Sequence, residues 1–176
     1  MKAIVITGCP RAGTKYVSEL LQLGHEKIEE RGISSWVLAA KNAKAAKHGP
    51  TLHEVLNKYE DVQIHHQVRH PISCIRSITS IGKQAWRFIC ANSEVDINAP
   101  VLLRAMQMWY YWNLMAEEIA ETRYQVETLP KIVGLGTNSS KARLRRATDF
   151  TPKDLRELDP KRYAQILKLS NKYGYV

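Results

Sequence analysis

The sequence predicts an α/β sandwich around a parallel sheet. Two observations carry that expectation. Short apolar or alternating runs, Ala3–Thr7 and Val62–Val68, each stop at a turn signal. Stretches with helical spacing of apolar residues follow each run, so strands alternate with helices. The chain has 176 residues, a length that favours one domain over residues 1–176 and allows a core without metal or disulfide staples.

Ala3-Ile4-Val5-Ile6-Thr7 is rich in β-branched residues, ends at Gly8 and reads as a buried parallel strand. From Lys15 to Leu23 the residues Tyr16, Val17, Leu20, Leu21 and Leu23 follow a helix, and Gly24 stops it. Residues 34–47 are Ala/Lys-rich and predict a helix ended by Gly49-Pro50. Thr51, with Glu54 three positions on, has the spacing of a capping box for a further helix.

Val62–Val68 alternates apolar and polar and predicts a second strand, stopping at Arg69-His70-Pro71. Pro71 suits the first turn of a helix over 71–82. Residues 83–99 read as irregular. Pro100 opens the longest helix, to about Thr122, with an apolar stripe containing Met106, Met108, Trp109 and Trp112 that reads as core. Residues 123–127 predict a third strand, and 134–148 a polar, basic loop. Thr151-Pro152 and Asp159-Pro160 open the last two helices. No internal repeat interrupts the pattern.

Composition bounds the function. Apolar residues make up 44% and charged residues 24%, a globular balance. Lys and Arg number 26 against 17 Asp and Glu, giving a net charge of +9 and a pI near 9.5. That charge points to an anionic partner without choosing among polyanions and small phosphorylated ligands. No apolar run approaches the ~18 residues of a membrane span. The first residues lack the pattern of a secretory signal. The three scattered cysteines, Cys9, Cys74 and Cys90, fit neither a disulfide framework nor a zinc site, so the expected setting is a reducing cytoplasm.

Two constellations could do chemistry. The first is Gly8-Cys9-Pro10-Arg11-Ala12-Gly13-Thr14-Lys15, between strand and helix. Amides at such a junction form a concavity, and the helix start adds partial positive charge, so phosphate oxygens bind there. Arg11 and Lys15 add formal charge, and Thr14 adds a hydroxyl. The order G-x-x-x-x-G-T-K displaces the lysine of a nucleoside-triphosphate loop and lacks its magnesium-binding Ser/Thr. The second is Arg69-His70-Pro71 with Ser77 eight residues after the arginine. Arg69 ends a strand, where ligands bind in open α/β sheets. A nucleoside triphosphatase would need a metal-binding Asp on such a strand, and none is evident.

GCPRAGTKYVSELL resembles the phosphosulfate-binding loop of sulfotransferases that use 3′-phosphoadenosine 5′-phosphosulfate (PAPS), with its P-[KR]-[ST]-G-T core. VRHPISCIRS resembles their V-R-[ND]-P motif, with a serine eight residues on. YQVETL, GHE and SW resemble segments of the bacterial members. The resemblance implies a P-loop NTPase-like three-layer sandwich and a sulfuryl transfer from PAPS, without a metal, to a hydroxyl or amine of a small-molecule or glycan acceptor. By motif position it implies that Pro10, Arg11, Ala12, Gly13, Thr14, Lys15 and Tyr16 hold the 5′-phosphosulfate end, and that Arg69 and Ser77 hold the 3′-phosphate. Ala12 stands where the family has Ser or Thr, His70 where it has Asn or Asp, and Lys15 where many members have Thr.

Sulfuryl transfer needs a base for the acceptor's proton and cations for charge on the leaving phosphate. Lys15 or Arg11 can supply the cation. Glu26 and His25, beyond the loop's helix, are the candidate bases, and the sequence does not choose between them. His65 and His66 point to opposite faces of their strand and read as core or surface histidines. The alternatives are a P-loop small-molecule kinase or NTPase, and a non-catalytic nucleic-acid-binding module. The latter would use residues 131–162, which hold nine Lys/Arg and four Asp/Glu. No nucleic-acid motif accompanies that stretch.

Overall fold

The computed structural model describes residues 2–43, 48–129 and 148–175. In chain order it contains β1 (Ala3–Gly8), α1 (Thr14–Leu21), β2 (Gly24–His25), β3 (Gly32–Ser34), a 3-10 turn (Trp36–Ala39), α2 (Leu52–Lys58) and β4 (Val62–Val68). There follow α3 (Pro71–Ile78), α4 (Lys83–Asn92), α5 (Val101–Ile119), β5 (Thr122–Gln125), α6 (Pro152–Leu158) and α7 (Pro160–Lys172). Among the described residues this is an α/β fold with seven α-helices and one sheet of five strands, all parallel, in the order β2-β3-β1-β4-β5.

The alternation of β1 explains the layers. Val5 faces one side with Ile33, Ile64 and the α2 residues Leu52 and Val55. Ile6 faces the other with Val17 of α1, Leu23 and Leu129. A larger cluster joins α3 to α7 around Met106, Trp109 and Trp112, all fully buried, as the α5 stripe predicts. Helices therefore cover both faces of the sheet, and burial on both sides is what permits near-continuous apolar strands. No described helix is long and apolar enough to cross a membrane.

Three sequence expectations change. Residues 34–47 do not open as a helix: Ser34 ends β3, and Ser35 caps a short 3-10 turn by accepting from the Val37 amide at 3.2 Å. The Ala/Lys composition favours helix, yet every residue from Gly32 to Ala40 is buried, so tertiary packing sets the path. Residues 83–99 contain the ten-residue helix α4, with Trp86 and Ile89 buried at i, i+3. The two short strands β2 and β3 add to the three expected. The basic loop over 134–148 lies almost wholly outside the described residues.

β1 lies between β3 and β4, so the chain leaves β1 toward one edge and later crosses to the other. That reversal opens a crevice beyond the strands' C-terminal ends, where α/β sheets bind ligands. The candidate residues cluster at those ends: Pro10 to Tyr16 after β1, His25 and Glu26 at and after the end of β2, and Arg69 after β4; Trp36 follows β3.

Candidate functional site

The turn from β1 to α1 is set by two glycines. A Cβ on Gly8 would stand 2.2 Å from the Gln67 carbonyl oxygen, so only glycine lets β4 pass there. Gly13 has φ +101°, in the left-handed region where other residues are strained. Arg11 between them is also left-handed, at φ 72°, an uncommon geometry for a side-chain-bearing residue.

Each carbonyl of the loop from Cys9 to Gly13 has a donor. The Cys9 oxygen accepts from the Ala12 amide at 2.9 Å, and the Gly13 oxygen from the Val17 amide at 3.1 Å. The Pro10 oxygen meets the Cys74 thiol at 3.6 Å. The Ala12 oxygen accepts from Gln67 Nε2 at 2.9 Å, and the Arg11 oxygen from Arg69 Nη1 at 3.0 Å. Gln67 is wholly buried and also accepts from the Tyr124 hydroxyl at 2.6 Å. Burial pushes that phenol's pKa upward, so Tyr124 stays a donor. Among the described residues no acceptor meets the amides of Gly13, Thr14, Lys15 and Tyr16. Free amides at a helix start are an anion cradle.

Gly13 and Thr14 border a cavity of about 680 Å³, within the size range of small-molecule sites. Pro10, Arg11, Gly13 and Thr14 line it, as do Arg69, Ser77, His25 and Glu26. The structure thus brings both sequence motifs and both candidate bases to one place. Three named residues do not line it. Ala12 is wholly buried in the core, which explains why a small residue is accepted there. Tyr16 is half-buried beside the cradle. The Lys15 ammonium is exposed and 3.9 Å from Glu19.

The cavity has a cationic end and an aromatic end. At the first, Arg11 reaches α3, donating through Nη2 to Ser80 Oγ at 3.0 Å and through Nε to the Ser77 carbonyl at 3.3 Å. Arg76 also lines this end, held by the Phe150 carbonyl at 2.9 Å and by Asp149 at 3.3 Å. At the second, Glu26 Oε1 accepts from the Trp36 indole at 2.8 Å and lies 3.7 Å from His25 Nε2. Trp36 packs on Phe88 and Trp112 at ring distances of 5.5 and 5.4 Å, and His48 closes the wall. Among the described residues Glu26 is the one carboxylate in the lining, against three guanidinium groups. That imbalance suits a strongly anionic ligand.

Ser73, Arg76, Ser80 and His48 line the cavity without having been singled out from the sequence. The first three share a face of α3 and its continuation with Ser77, at helical spacing. A polar stripe S-x-x-R-S-x-x-S directly after a strand-ending arginine was the available signal. His48 sits in a turn and carries none. His65 and His66 stay out of the site: His65 pairs with Thr122, and buried His66 with Asn113 Oδ1 at 3.0 Å.

No family model, no curated protein and no solved structure matches the chain.

Proposed function

We propose that the chain is a sulfotransferase that takes PAPS as co-substrate and transfers its sulfuryl group to a hydroxyl or amine of a small-molecule or glycan acceptor. One observation carries the reading. Gly13 and Thr14, with acceptor-free amides, line a single guanidinium-rich cavity together with Arg69 and Ser77. A ligand with more than one phosphate-type group fits that arrangement. The resemblance of the two motifs to those of PAPS-dependent sulfotransferases suggests the particular ligand.

Bound there, PAPS supplies the sulfuryl group. The amide cradle and the Arg11 guanidinium hold negative charge at the 5′ end, including the charge that develops on the leaving phosphate oxygen. This assigns the cationic role to Arg11 rather than to the Lys15 ammonium, which points to solvent beside Glu19. Arg69 and Ser77 hold the 3′-phosphate. Glu26 or His25 takes the acceptor's proton as its oxygen or nitrogen bonds to sulfur.

Thermal unfolding with the desulfated nucleotide 3′-phosphoadenosine 5′-phosphate (PAP) tests the reading. At about 100 times its Kd, PAP should raise the melting temperature by roughly 5–10 °C, and magnesium-ATP should not. Arg11→Ala and Arg69→Ala should each remove most of that rise. Stabilisation by magnesium-ATP alone would instead make the protein a kinase or NTPase. A wild type indifferent to millimolar PAP would end the proposal.

A further inference from the structure

We infer that Tyr175 and Glu127 are positioning residues for the 3′-phosphate end of the cavity, acting through the strand–helix corner that carries Arg69. The inference rests on the functional reading above.

The alternation of β5 continues past its end. Residues 123, 125 and 127 each take a partner from the end of α7 and the residues after it. Arg123 Nη2 donates to the Lys172 carbonyl at 3.0 Å. Gln125 Nε2 donates to the Tyr173 carbonyl at 2.8 Å. The Tyr175 hydroxyl donates to Glu127 Oε2 at 2.7 Å. The first two contacts only fasten the end of α7 to an edge strand. The third goes further.

Glu127 Oε1 accepts from the His70 amide at 3.0 Å, so one carboxylate links Tyr175 to the residue after Arg69. His70 is the N-cap of α3 and makes no cap bond with its own side chain. The carboxylate therefore does from another strand what a cap residue does locally, satisfying an orphan amide at the helix start. The Tyr175 ring, 8% exposed, stands edge-on to the His70 ring at 5.5 Å and 82°. The Val126 amide donates to the Val68 carbonyl at 2.9 Å and holds the two chains in register up to the corner. From that corner the Arg69 guanidinium enters the cavity lining and donates to the Arg11 carbonyl. Fixing the His70 amide thus fixes the backbone from which Arg69 extends. The 5′ cradle is built on β1 and α1 and meets this corner through the Arg69–Arg11 contact, while its Ala12 carbonyl is held separately by Gln67.

Calorimetric titration of the full chain with two probes separates positioning from mere stability. PAP carries the 3′-phosphate, and AMP lacks it. Tyr175→Phe keeps the ring and removes only the hydroxyl; Glu127→Ala removes the link itself. Each variant should weaken PAP by about tenfold and AMP by less than about twofold. Gln125→Ala, which breaks the neighbouring contact to α7, should lower the melting temperature while leaving the ratio of the two affinities unchanged. Parallel loss of PAP and AMP binding in Tyr175→Phe and Glu127→Ala would overturn the inference, as would unchanged PAP affinity in both. If the wild type binds PAP and these variants fail the test, the functional reading survives alone. If the wild type does not bind PAP, both fall.

Discussion

Gly13 is the residue on which the cradle turns. An added Cβ would meet Val126 Cγ2 at 3.2 Å and Gln67 Nε2 at 3.3 Å, at a φ that side chains resist. Gly13→Ala should therefore cost about 1–2 kcal/mol of stability and push the Gln67 amide off the Ala12 carbonyl. Denaturant titration and PAP calorimetry should register both effects. His66 shows the opposite case, a polar group kept for the core. Burial pushes its pKa down to about 4, against 6.5 for the free group. The folded state holds the neutral ring, so this stability is complete above pH 6.5 and is lost as pH falls toward 4. About 3 kcal/mol is at stake. Urea unfolding at pH 7 and pH 4.5 should show a steep acid loss in the wild type and a flatter one in His66→Gln. These residues also show what a sequence makes legible at this scale. Arg11, Gly13, Thr14, Arg69 and Ser77 sit in contiguous motifs, so their meeting in one cavity was readable. Glu127 and Tyr175 come together only through the end of α7, and no local pattern announces that.

Elements with a strong local signal formed where the sequence placed them. Thr51 is the plain example: its hydroxyl accepts from the Glu54 amide at 3.3 Å, and the Glu54 carboxylate accepts from the Thr51 amide at 2.6 Å. The Thr51→Ala variant loses one half of that reciprocal cap and should be about 1 kcal/mol less stable, read from the midpoint of chemical unfolding at unchanged slope. An unchanged midpoint would mean that α2 is held by Leu52 and Val55 alone. β1 and β4 were legible for a related reason, since six and seven residues suffice to show a period. β2 and β3 have two and three residues, too few for any alternation; β3 owes its existence to pairing with β1, and β2 to pairing with β3. α4 escaped for want of a cap: Gly82 offers no side-chain bond at its start. Its spacing of Ala85, Trp86 and Ile89 was present but short of a full stripe.

At the scale of the molecule the question is what the charge of +9 does. Three guanidinium groups line the cavity, and the remaining surplus is spread over the chain, with its densest stretch in residues 131–162. The two populations act over different distances. On the proposed function, charges spread over the surface would attract the nucleotide before contact, and salt screens such charges within about 8 Å at 0.15 M. Arg11 and Arg69 act in direct contact, inside a partly closed cavity where screening is weaker. The protein's field should therefore appear in the association rate and the cavity's own cations in the dissociation rate. Raising salt from about 0.05 to 0.5 M should slow PAP association roughly tenfold while changing dissociation by less than about twofold. Stopped-flow mixing can follow both through the fluorescence of Trp36, which forms part of the cavity wall. Salt-sensitive dissociation would instead assign the work to exposed ion pairs at the mouth and leave the surplus charge no part in capturing the nucleotide.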